Sequence, residues 1–71
     1  MPDARRVQIR GEDIRLGQLL KFAGVIDAGG DARALLETGA VTVNGEPERR
    51  RGRRLVRGDL VAAGGEVLEV A

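Results

Sequence analysis

Apolar positions recur with helical spacing in the first half of the chain and alternate in the second. From Arg15 onward, Leu16, Leu19, Leu20 and Ala23 fall at i, i+3, i+4 and i+7, which gathers them on one helix face. Asp13 suits the N-cap, since a carboxylate there accepts from first-turn amides, and Gly24 suits the stop. A second helix is expected over residues 29–38, burying Ala32, Leu35 and Leu36 and ending at Gly39, where left-handed backbone favours glycine. Only GVIDA separates the two stripes, so the helices are expected to pack against each other.

Beyond Gly39 the period becomes two. AVTVNG sets Val41 and Val43 on one face and ends in Asn44-Gly45, the dipeptide best suited to a tight hairpin. DLVAAGGEVLEV reads as two strands about Gly64-Gly65, with Val67 and the aliphatics beside it supplying apolar surface. Near the N-terminus, RVQIR places Val7 and Ile9 on one side of a short edge strand. The expected fold is α+β, two short packed helices followed by a small, mainly antiparallel curved sheet. Residues 1–13 form an N-terminal extension or edge strand in this reading, and residues 14–71 a single domain.

Composition narrows the chemistry. A chain of 71 residues has one small core, burying about 60% of the surface its unfolded form exposes. Cys and His are both absent, which removes disulfides and the usual zinc ligand sets, so no metal is expected. Phosphate-cradling glycine motifs are missing too, and no cofactor is implied. Ser and Tyr are also absent and the only hydroxyls belong to Thr38 and Thr42, so no catalytic residues and no small-molecule substrate are expected. No apolar run approaches the roughly 20 residues that span a bilayer, and MPDARR lacks a secretory apolar segment, so a cytoplasmic protein without a membrane partner is expected.

Charge is where the pattern becomes specific. The formal net charge is only +1, from 12 basic and 11 acidic residues, yet residues 49–57 hold six arginines and no acid. Local density of this kind sets the surface potential more than the sum does. Guanidinium groups match phosphate with a planar fork, although arginine in place of lysine can also reflect a GC-rich genome. Genome composition does not explain the clustering. Arg49, Arg50, Arg51, Arg53 and Arg54 are the candidate phosphate ligands, with Gly52 letting the chain turn between them. In an extended segment only half of them face one ligand, for about three or four phosphate contacts. Arg50 and Arg53 are the pair whose removal is expected to weaken such binding with the fold left intact. Two plainer readings compete: an arginine-rich edge that deters strand-to-strand aggregation, or a solvated loop paired with Glu46, Glu48 and Asp59.

The order IRLGQLLKFAGVIDAGGDARALLETGAVTVNGE followed by RGRRLVRGDLV resembles the ribosomal protein S-four-type RNA-binding domain, or αL motif. The elements that carry the resemblance are Arg15-Leu16 opening the first helix, Ala32-Arg33 on the second, residues 39–45 as strand and turn, and Gly58-Asp59. LGQLLK, AGGDA and RRGRRL look like the short, stand-alone bacterial members. The resemblance implies a non-catalytic monomer that recognises structured RNA, ribosomal RNA or the ribosome being the partner class. Arg15, Arg33 and Asn44 match the motif's RNA surface, with Gly45 in the turn. Gln18 and Phe22 stand where many members carry basic residues, Gly29 replaces a common arginine, and Glu37 stands where a basic residue is frequent. The arginine run is then expected to replace or extend the usual footprint.

Weaker contact candidates are Lys21, opposite the apolar stripe, and Gly29 and Gly30, whose amides open the second helix. Phe22, the single aromatic residue, is expected to be partly buried, and the near absence of aromatics disfavours readers that stack successive bases. The competing function is a protein-interaction adaptor that docks an acidic partner on the basic edge. Ribonuclease sensitivity of its associations separates it from an RNA binder.

Overall fold

A computed structural model describes residues 4–27 and 32–71. Two of its strands precede the helices: β1 (Arg5–Val7) and β2 (Asp13–Arg15) lead into α1 (Leu16–Phe22) and α2 (Ala32–Glu37). Then follow β3 (Thr42–Val43), β4 (Glu46–Pro47), β5 (Arg54–Val56), β6 (Leu60–Ala63) and β7 (Glu66–Val70). The content is mixed α and β with mainly antiparallel pairing, as the periodicity implied. The order differs from helices first and strands after, because three-residue strands carry too short an alternation to stand out from a linker.

Five strands make the main sheet in the order β1-β7-β6-β3-β4, and β2 pairs with β5 in a separate ribbon. The edge strand expected around Val7 exists, and it runs parallel to β7 with Val7 opposite Val70. Both short turns adopt the left-handed backbone that a two-residue hairpin requires. Asn44 has φ 52° and Gly45 φ 87° between β3 and β4, while Gly64 and Gly65 have φ 58° and 79° between β6 and β7.

The core lies between the helices and one face of the sheet. Leu16, Leu19 and Leu20 of α1 and Ala32 and Leu36 of α2 are buried with Val41, Val43, Val61, Ala63, Leu68 and Val70. Leu55 enters from the ribbon, Val7 and Ile9 from the N-terminal segment. In β7, Leu68 and Val70 face the core, and Val67, expected with the aliphatics beside it to supply apolar surface, is only partly buried. Leu35 is likewise packed at the margin of the core rather than inside it.

Helix ends follow local chemistry at the C-termini. Gly24 (φ 77°) donates to the Lys21 carbonyl and Val25 to the Leu20 carbonyl at 2.9 Å, the paired bonds of a Schellman stop. Gly39 (φ 77°) ends α2 with one such bond, its N–H donating to the Leu36 carbonyl at 3.1 Å, while Ala40 N–H donates to Thr38 Oγ1 at 3.1 Å. The N-terminus of α1 departs from expectation. Asp13 is not its N-cap; it lies in β2 opposite Val56, and Arg15 holds the cap position. The expected start of the second helix, with Gly29 and Gly30, lies outside the described residues. Among the described residues no helix is long and apolar enough to cross a membrane.

These burial differences predict different costs. Leu20→Ala, at a fully buried site, is expected to lower the unfolding free energy by about 2–5 kcal/mol, and Leu35→Ala by clearly less. Urea denaturation of both variants checks the ranking; equal losses would place Leu35 in the core.

Candidate functional site

An α-helix begins with amides that have no intrahelical acceptor. In α1 the carbonyls of the arginine run supply acceptors. Leu16 N–H donates to the Arg53 carbonyl and Gly17 N–H to the Arg51 carbonyl, each at 2.9 Å. Arg15 adds a side-chain bond, Nη1 to the Gly52 carbonyl at 3.1 Å, and its backbone amide donates to Gln18 Oε1 at 3.2 Å. Asp13 is displaced from capping because this loop already occupies the helix end.

Gly17 makes that approach possible. A Cβ on it would stand 3.3 Å from Arg51 Cβ and 3.4 Å from the Arg51 carbonyl oxygen. Sequence reading passed over this glycine, since its requirement comes from a segment more than thirty residues away. A small residue inside an otherwise good helical stripe was the available signal.

The arginine run is a turn followed by a strand, not the extended segment that alternation would need. Arg53 N–H donates to the Arg50 carbonyl at 3.2 Å, closing a turn through Arg51 and Gly52, and β5 begins only at Arg54. The turn divides the side chains by role. Glu48 is 9% exposed and accepts from Arg50 Nε and Nη2 at 3.2 and 3.1 Å, with Arg53 Nη1 3.5 Å away. Arg54 Nε donates to Asp13 Oδ2 across the β2–β5 ribbon, and Arg57 Nη2 donates to the Ile9 carbonyl at 3.0 Å. Arg49 and Arg51 make no side-chain hydrogen bond or ion pair among the described residues. Arg49 lies over Gly39, with Nη2 at 3.2 Å from the position of an added Cβ.

Beside the turn is an open groove of about 310 Å³ lined by Arg15, Gly17, Gln18, Lys21, Ala32, Arg51 and Gly52. Arg15, Lys21 and Arg51 converge there, and among the described residues no carboxylate lines it. The structure thus brings together Arg15, Lys21 and Arg51 from the sequence candidates. Arg33 is exposed on α2 and does not line this groove. Asn44 is used to join two turns: its Nδ2 donates to Asp59 Oδ1 at 3.1 Å, and its Oδ1 accepts from Leu60 N–H at 2.9 Å. Phe22 is 64% exposed, against the expected partial burial, because the seven-residue α1 directs Leu16, Leu19 and Leu20 to the core and leaves Phe22 outside their stripe.

Comparison with known proteins agrees with the sequence resemblance. The S4 domain family model matches residues 7–71. A Bacillus subtilis (strain 168) protein named "Probable ribosome maturation protein RlbA" is 50% identical over 58 residues, which cover 82% of each chain.

The two classes of arginine predict separable effects on stability. Replacing both Arg50 and Arg53 by Ala strips a nearly buried carboxylate of its donors and is expected to cost about 1–3 kcal/mol. Replacing both Arg49 and Arg51 by Ala is expected to change stability by no more than about 0.5 kcal/mol. Thermal and urea denaturation of the two double variants measures the difference; similar losses would remove the structural role given to Glu48.

Proposed function

We propose, given that this chain belongs to the S4 domain family, that it is a non-catalytic binder of structured RNA associated with the ribosome. The observation that carries this reading is the groove where Arg15, Lys21 and Arg51 converge beside a turn held by backbone hydrogen bonds. The ribosomal class of RNA rests on the name of the Bacillus subtilis relative, and the same name supports a cytoplasmic location.

Binding a polyanion releases condensed counterions, so each neutralised phosphate contributes about 0.7–0.9 to the slope of log affinity against log salt. Arg51, Arg15 and Lys21 line the groove, and Arg49, which has no ion-pair partner among the described residues, is a further candidate contact, for about three or four phosphate contacts. Arg50 and Arg53 are partly neutralised by Glu48 and act first as supports of the turn. Backbone recognition of this kind reads the shape of a folded RNA before its sequence. Residues that could perform acid–base or nucleophilic chemistry are scarce in a chain without Cys, His, Ser or Tyr, which supports a binding role without turnover.

The test is filter binding to purified bacterial ribosomal RNA over a series of potassium chloride concentrations. Replacing both Arg49 and Arg51 by Ala is expected to weaken binding at every salt and flatten the slope by about 1.5. Unchanged affinity at matched salt would sink the groove as the RNA site. Cellular associations that survive ribonuclease would favour docking of an acidic protein partner on the same surface.

A further inference from the structure

We infer that Phe22 is a stacking platform for a single unpaired nucleotide of the bound RNA, an inference that rests on the RNA-binding reading above. In a chain with one aromatic residue and a small core, the largest apolar ring stands 64% exposed at the end of α1. It lines a second open cleft, about 450 Å³, together with Arg5, Arg6, Val7, Gln8 and Ala23. The cleft is separate from the arginine groove.

Its walls are held in place. Arg5 Nη2 donates to the Ala23 carbonyl, which ties β1 to the residue that follows Phe22 at the end of α1. Arg5 also lies 3.7 Å from Glu66, so much of its charge is answered locally. Arg6 reaches Glu69 only at 4.0 Å, and its side chain is 74% exposed, leaving a guanidinium at the cleft mouth. Gln8 adds an amide that can both donate and accept.

A solvent-facing ring, an amide and a guanidinium within one cleft match the three parts of a nucleotide: a base face, a base edge and a phosphate. A hydrophobic protein partner would instead be met by a contiguous apolar patch. Among the described residues, the other exposed large apolar side chains, Val56 and Leu60, do not line this cleft.

Continuity with the groove gives the direction of the RNA. Lys21 lines the arginine groove and its neighbour Phe22 lines the cleft. Arg15, Gln18 and Phe22 follow the i, i+3 and i+7 spacing of one helix face. RNA whose phosphates sit on Arg15, Lys21 and Arg51 passes along α1 and presents its next unpaired base to the ring. A fully paired helix keeps its bases stacked internally and gains nothing there.

The chain contains no Trp or Tyr, so Phe22→Trp creates a single-fluorophore protein. The probes are two synthetic RNA hairpins that differ only by one unpaired adenosine in the stem. The bulged hairpin is expected to quench the Phe22→Trp variant and to bind the parent protein roughly 5- to 100-fold more tightly than the paired one. Phe22→Ala is expected to keep its melting temperature and bind both hairpins with the affinity of the paired one, and Phe22→Trp to retain the preference. Parent protein that binds both hairpins alike, or Phe22→Ala that keeps the full preference, overturns this inference and leaves the groove untouched. Parent protein that binds neither hairpin nor ribosomal RNA overturns the RNA-binding reading, and this inference with it.

Discussion

The structure depends on a backbone exchange between two distant segments. The first turn of α1 offers amides without acceptors, and the turn at residues 51–53 offers carbonyls outside any sheet; each satisfies the other. Gly17 leaves room for this contact, since an added Cβ would stand 3.3 Å from Arg51 Cβ, closer than ordinary packing. The position of the most charged segment is therefore set by hydrogen bonds of the main chain, and the arginine side chains need not hold the loop themselves. β2 and β5 continue the same contact, pairing Arg15 with Arg54 and Ile14 with Leu55 before the chain enters the helix.

Concentrating six arginines in nine residues carries a cost in mutual repulsion, and the fold offsets it unevenly. Glu48, at the end of β4 and nearly buried, answers Arg50 and Arg53. Asp13 answers Arg54 across the ribbon, in an exposed pair that contributes little energy of its own. The described acidic groups are thus placed behind and beside the turn, while the groove side carries Arg15, Lys21 and Arg51. This arrangement explains how a chain of net charge +1 presents a locally cationic face.

Helix α1 links the two concavities. Its buried side anchors the core through Leu16, Leu19 and Leu20; its N-terminal turn receives the arginine loop; its exposed side carries Gln18, Lys21 and Phe22. The opposite wall of the second cleft is β1, which is joined to the sheet only through the last strand and is held to α1 by Arg5. Packing and recognition share one short helix, so changes to its apolar stripe act on both.

Local rules determined much of the fold from the sequence alone. The leucine stripe of α1, the stops at Gly24 and Gly39, and the turns at Asn44-Gly45 and Gly64-Gly65 all follow from periodicity or from a positive φ that few residues accept. The arginine cluster and the family resemblance were equally legible, because both are properties of composition and order. Tertiary structure decided the rest. Asp13 looked like a cap until the 51–53 carbonyls took that place, and Glu48 looked solvated until the turn folded over it. Asn44 matched a motif's turn, and its amide joins that turn to the one at Asp59. The need for glycine at position 17 and the exposure of Phe22 likewise arise from which segments meet. A residue's spacing tells which face it shares with its neighbours, but only the closed fold tells what stands opposite that face.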